Sequence, residues 1–221
     1  VMTLNGVLDA AMSTLRAYPT WRSDEVQQVR EVMYRLVFPV RVGLMAVEYE
    51  IFAVLLTDVW MPTGPYFKLL CISGLFAPVS VISYNILRPK SDGKLIFRME
   101  LVKKLIATAI LAVTIPLGVK AIVWGQVGIF FSDAVFNAIG ASRYVRWKLW
   151  DRLREAAPYL LFSLIMWAGV YLTGLLLKDL ITAGWLLLIK IAVGIIVYYV
   201  LARIFRPEGM REVRIIINRQ K

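Results

Sequence analysis

A few ionisable side chains stand inside long apolar stretches of this sequence. Arg41, Glu48 and Glu50 lie in the run from Val37 to Thr57, Asp133 lies between Gln126 and Asn137 in another, and Lys190 interrupts a third. A charge at bilayer depth costs about 2.5–3.5 kcal/mol to insert, so it usually faces a bundle interior or a water-filled cavity, where such groups bind ions, bind polar solutes or carry protons. Arg41 and Glu48 are seven residues apart, which on a helix puts them about 20° apart around the axis and about 10 Å apart along it. They share a stripe but are too far apart to bond, so each needs another partner or both face one wet cavity. Glu50 is turned about 200° from Glu48, so one of the two carboxylates belongs near the outer rim. Gln126, Asp133 and Asn137 fall within about 40° of one another and form a polar stripe bordered by Ser132. Amides and hydroxyls on such a stripe can tie helices together, but a carboxylate near mid-span needs a cation or a proton. Lys190 is about ten residues into its run, far from either surface, whereas Lys68 sits beside an outer turn and reads as a rim cation.

The composition excludes several chemistries. There is no histidine, and the one cysteine, Cys71, lies in an apolar run. That argues against a zinc site and against a disulfide framework. No phosphate-binding loop, no Gly-x-Ser-x-Gly and no Cys pair is present, so the chain is expected to be no enzyme, with no catalytic residue, metal or cofactor.

The elements that must position these residues are membrane helices. The 221 residues are 59% hydrophobic and the mean hydropathy is +0.67, against about 45–50% apolar residues in a soluble domain. Apolar runs near spanning length recur along the chain. They predict an all-α integral membrane protein with six spans, at about 34–57, 65–87, 99–118, 121–139, 157–177 and 181–202. Ser23-Asp24-Glu25 marks the start of the helix leading into the first span, and Pro39 is expected to kink it. The two prolines and the glycine between Asp58 and Pro65 make a short turn, where Trp60 and Tyr66 suit a membrane interface. Trp147 and Trp150 suit another. Lys103 and Lys104 extend the short third span by snorkelling, and Pro116 and Gly118 turn the chain after it. Residues 1–19 read as the tail of a preceding helix or as an interfacial helix, and residues 206–221 as a basic tail.

Charge assigns the sides. Of the 26 lysines and arginines, 21 fall in segments 16–35, 88–104, 143–154 and 203–221, whereas the alternate loops hold only Lys120 and Lys178. Cytoplasmic loops carry such an excess. Three hairpins with both ends in the cytoplasm follow. The net charge of +11 then reflects topology and anionic lipid contact rather than nucleic-acid binding.

The run Phe38-Pro-Val-Arg-Val-Gly-Leu, continued by Asp58-Val-Trp-Met-Pro-Thr-Gly-Pro-Tyr-Phe-Lys-Leu-Leu-Cys-Ile-Ser-Gly-Leu-Phe76, resembles the Wzx-type flippases, the polysaccharide-exporting branch of the multidrug/oligosaccharidyl-lipid/polysaccharide superfamily. The turn from Arg88 to Gly93, Glu100-Leu-Val-Lys-Lys104, Ile115-Pro-Leu-Gly118 leading to Gln126, and Ala157-Pro-Tyr-Leu-Leu161 fit the same ordered pattern over about residues 20–200. Members have two pseudo-symmetric lobes of a MATE-like transporter around a central cavity. The resemblance implies that this chain is the C-terminal lobe, that Val1 is the start of a fragment, and that an N-terminal lobe is missing. It further implies transport of undecaprenyl-diphosphate-linked oligosaccharide across the bacterial inner membrane for surface polysaccharide such as O-antigen, with membrane lipids and the polymerase or glycosyltransferases as partners. In that setting Arg41 and Lys190 would neutralise the diphosphate, Gln126 and Asn137 would line the cavity, and Glu48 or Asp133 would couple to a proton or sodium ion. Two other expectations compete: a drug or organic-cation exporter of the same superfamily, and a non-transporting membrane subunit of a polysaccharide assembly complex.

Overall fold

In a computed structural model, residues 23–56, 58–91, 93–142, 149–178 and 180–204 are described, and all regular structure among them is helical. The expectations for residues 1–19, for residues 206–221 and for Trp147 lie outside the described residues, and the one for Trp150 concerns a side chain that is not described.

The first helix, α1, runs Ser23–Ala46 with Pro39 inside it. The sequence places the kink at Pro39, but the helix continues through it. The break falls at Val47 (φ −110°, ψ 12°), after which α2 runs Glu48–Leu55. The Val47 N–H donates to the Gly43 carbonyl and the Ile51 N–H to the Val47 carbonyl, so both backbone polar groups of Val47 are bonded at the bend. Those bonds are what an apolar environment demands.

The turn expected after Asp58 is a 3₁₀ segment, Asp58–Thr63. It leads into α3, Gly64–Ser73, a 3₁₀ turn at Gly74–Phe76, and α4, Ala77–Lys90. Pro65 and Pro78 both stand in the first turn of a helix, where the missing N–H costs nothing. Helix α5 runs Gly93–Thr114, and its 3₁₀ extension ends at Gly118, whose φ of 91° favours glycine. Helices α6 (Val119–Ser142), α7 (Leu149–Leu177, with Pro158 inside) and α8 (Ala183–Ile204) complete the order.

Among the described residues, four segments are long and apolar enough to cross a membrane: Val59–Arg88, Val119–Ser142, Arg154–Leu177 and Ala183–Ile204. Helices α1 and α5 only overlap the stretches expected as the first and third spans, and neither is apolar enough to be counted with the four, because they carry Arg30, Arg35 and Arg41 on α1 and Lys94, Arg98, Glu100, Lys103 and Lys104 on α5.

The packing forms two groups. Helices α1, α2, α7 and α8 lie together, and α3 to α6 form a second cluster, with α1 touching α3 and α4 between them. In the first group Tyr34 and Phe38 of α1 pack on Ala156 and Tyr159 of α7, with the Tyr34 and Phe38 rings stacked at 5.3 Å. Val42, Val47, Met166 and Val170 continue the seam. At its end Arg30 Nε lies 2.8 Å from the Glu155 carboxylate. In the second group α6 turns small residues inward, among them Gly125, Ala134, Ala138, Gly140 and Ala141. Small residues let helix backbones approach, which suits helices that associate by close packing rather than by hiding apolar surface from water.

Helix α8 is inverted relative to a helix on a water-soluble core. Its buried residues are Leu186, Lys190 and Gly194, while Leu188, Ile195 and Ile196 are exposed. A charge turned inward with isoleucines turned outward is the arrangement an apolar solvent selects.

Candidate functional site

The bend at Val47 sets out the first set of charges, because it starts a new helix at Glu48 and points successive carboxylates in different directions. Glu50 is buried and meets Lys190 of α8, with Nζ 2.5 Å from Oε1. The other Glu50 oxygen, Oε2, is shut off from solvent with no hydrogen-bond partner. Glu48 turns the other way and pairs with the half-exposed Lys68 of α3 at 2.8 Å. Of the two carboxylates, Glu50 is the more deeply buried.

Glycines make room for these charges. A Cβ on Gly174 of α7 would lie 2.6 Å from Lys190 Cε and 2.7 Å from its Nζ. A Cβ on Gly64 would collide with the Glu48 carboxylate, and one on Gly74 would lie 2.6 Å from the Arg41 guanidinium carbon. In their present positions these charged side-chain ends occupy the space that a Cβ would take, so a substitution at any of the three glycines would make the charged end shift.

The second set lies in the other group of helices. Lys103 of α5 places Nζ 2.9 Å from Asp133 and 2.5 Å from Glu100. It also donates to the Asn137 amide oxygen at 3.0 Å and stands 5.5 Å from the centre of the Tyr84 ring. Asn137 Nδ2 donates to Ser80 Oγ at 2.9 Å and to Asp133 at 3.3 Å, and the Ser80 hydroxyl donates to Asp133. Three helices are tied by this network. Asp133 and Asn137 do share a stripe, and the cation Asp133 needs is Lys103. Gln126, two turns away on α6, is half-buried and takes no part.

Arg41 is different. It is half-buried on α1 and lies against the Cys71 thiol and the Gly74 backbone. Among the described residues it forms no ion pair with a carboxylate, whereas Lys68, Lys103 and Lys190 each do.

On the opposite side of α1, a groove of about 780 Å³ lies between α1, α2, α7 and α8. Its walls are apolar and include Leu36, Val40, Met166 and Ile195, with Lys190 towards one end and Arg35 and Arg203 towards the other.

No protein-family model, curated protein or solved structure matches this chain.

Of the residues the sequence singled out, the structure brings Asp133 and Asn137 into one network. It places Lys190, Glu48 and Arg41 in three separate contacts, each with a different partner. Lys103, Ser80 and Arg35 also take part in these contacts without standing out as site residues in the sequence, and Glu50 stands out there only as one of two carboxylates of undecided place. A signal for Glu50 was present: it and Lys190 are opposite charges deep in two apolar runs, and each needs a partner of the other sign. Nothing comparable pointed to Ser80, whose hydroxyl on its own reads as an ordinary helix residue.

Among the described residues no cluster of His, Cys, Asp and Glu could hold a metal ion.

Proposed function

We propose that the chain is a six-span, C-terminal lobe of a MATE-like transporter in a bacterial inner membrane, and that it moves a lipid-linked oligosaccharide diphosphate between leaflets. Four segments already have the length and composition to span. The other two, α1 and α5, carry part of their charge in pairs inside the bundle, Arg30 with Glu155 and Lys103 with Asp133 and Glu100. A paired charge no longer bears the full cost of insertion.

The observation that carries the transport reading is Arg41. The bundle neutralises the interior lysines Lys103 and Lys190 but leaves this half-buried guanidinium, set against the Cys71 thiol and Gly74, without a carboxylate partner among the described residues. A planar guanidinium is the side chain best suited to hold phosphate oxygens in two-pronged fashion. The ordered resemblance to the Wzx-type flippases supplies the class of anion, a diphosphate carrying a glycan. An organic-cation exporter would instead need an interior carboxylate open to the solute, and Glu48, Glu50 and Asp133 each hold a lysine.

The test is export in cells lacking the native gene. Plasmid-borne Arg41→Gln, expressed at wild-type level in membranes, is expected to leave the lipid-linked unit on the inner leaflet and to abolish surface polysaccharide. Wild-type surface polysaccharide from Arg41→Gln would overturn this reading.

A further inference from the structure

The groove between α1, α2, α7 and α8 is chemically separate from Arg41, which faces α3 through Cys71 and Gly74. Its two ends differ. Along α8, Lys190 and Arg203 are thirteen residues apart, about 20 Å at the helical rise. That is on the scale of one leaflet, about half of the 30 Å hydrocarbon core. Between them the lining is apolar, and much of it, including Leu36, Val40 and Ile195, is open to the surroundings of the bundle. At the far end Arg35 and Arg203 both line the groove, where the Tyr198 hydroxyl donates to the Arg35 carbonyl at 2.9 Å and the Arg203 guanidinium donates to the Tyr199 hydroxyl at 3.2 Å. Neither arginine forms an ion pair with a carboxylate among the described residues. Arg35 Nε is cut off from solvent without a hydrogen-bond partner. Lys190, at the inner end, is neutralised by Glu50.

We propose that this groove holds an anionic phospholipid of the cytoplasmic leaflet, one acyl chain lying along α8 and its phosphate between Arg35 and Arg203. The charge bias of the loops puts the arginine end at the cytoplasmic face, where anionic lipids concentrate and where basic pockets between membrane helices bind lipid headgroups. An apolar slot closed by a neutralised pair at one end, and carrying at the other two guanidiniums that no described carboxylate neutralises, fits an amphiphile with a single negative head. The chain after Arg203 is a poor alternative occupant. It carries Arg206, Arg211, Arg214, Arg219 and Lys221 against Glu208 and Glu212, the same sign as the groove end. The proposal rests on the membrane reading of the helices and not on transport.

Native mass spectrometry and thermal unfolding of the purified protein, titrated with phosphatidylglycerol or phosphatidylcholine in detergent, test it. Phosphatidylglycerol is expected to bind one per chain and to raise the unfolding temperature, with phosphatidylcholine at least about tenfold weaker. The Arg35→Gln/Arg203→Gln variant should lose that preference. Val40→Trp, which fills the slot but keeps both arginines, should lose binding of either lipid, and it decides the matter if the double variant does not fold. Arg203→Lys should keep most of the preference, since charge remains. Equal binding of the two lipids, unchanged phosphatidylglycerol binding in Val40→Trp, or displacement of the lipid by millimolar inorganic phosphate would each overturn the proposal. So would tighter binding of a polyprenyl phosphate than of phosphatidylglycerol, because the groove would then belong to the transport path.

Discussion

Lys190 Nζ and Glu50 Oε1 meet 2.5 Å apart between α8 and α2, with both side chains almost fully buried. The contact joins residues 140 positions apart in sequence and closes the inner end of the groove. It exists because the chain bends at Val47, which aims Glu50 at α8, and because Gly174 offers Lys190 a place without a side chain.

Removing one partner of this pair leaves a buried charge uncompensated. Glu50→Leu or Lys190→Met alone should destabilise by about 3–5 kcal/mol, while the double replacement should recover most of that loss. Unfolding midpoints in detergent over the four-member cycle measure the coupling, and additive losses would show that the two side chains do not depend on each other.

Gly174→Val places a branched side chain where the Lys190 ammonium lies. The expected result is a loss of stability comparable to breaking the pair, and a smaller loss when Gly174→Val is made on a Lys190→Met background. Equal losses on both backgrounds would mean that the glycine serves only helix packing.

The network around Lys103 should respond in graded fashion. Ser80→Ala removes one neutral donor to Asp133 and should cost about 1 kcal/mol. Asp133→Leu leaves Lys103 with Glu100 as its one described carboxylate and should cost several times more. The ratio of the two changes, read from the same unfolding assay, separates the charge from the hydrogen bonds.

Topology gives an independent check. With buried Cys71 replaced by alanine, single cysteines at Ser91 and Lys178 should label from opposite sides of the membrane, Ser91 from the cytoplasm. Labelling of both from one side would remove the three-hairpin arrangement.

Much of the fold was legible because proline, glycine and apolar length punctuate the chain plainly. The stretch expected at 65–87 became α3 and α4 because Pro65 and Pro78 sit where helices start, and the span expected at 181–202 is α8 almost residue for residue. Pro39 misled because the missing N–H at one residue does not by itself set where a packed helix breaks. The seam of Tyr34, Phe38 and Val42 on α7 carries α1 through it. The stripe of Asp133 and Asn137 was legible from helical angles on one helix. Its partner Lys103 was not, because snorkelling and inward pairing are equally open to a lysine near a span end. Which of Glu48 and Glu50 turned inward depended on the bend at Val47, a tertiary feature with no local sequence sign. The groove escaped notice for the same reason, since its walls come from both ends of the chain.

The unpaired guanidinium of Arg41 is the centre of the account, and translocation itself tests it most directly. The full-length protein in liposomes should move a fluorescent undecaprenyl-diphosphate glycan between leaflets. Arg41→Gln should slow that movement at least about tenfold, Arg41→Lys should slow it less, and neither should shift the unfolding midpoint, because no carboxylate is left unpaired. Wild-type translocation by Arg41→Gln at wild-type stability would contradict the role given to this residue.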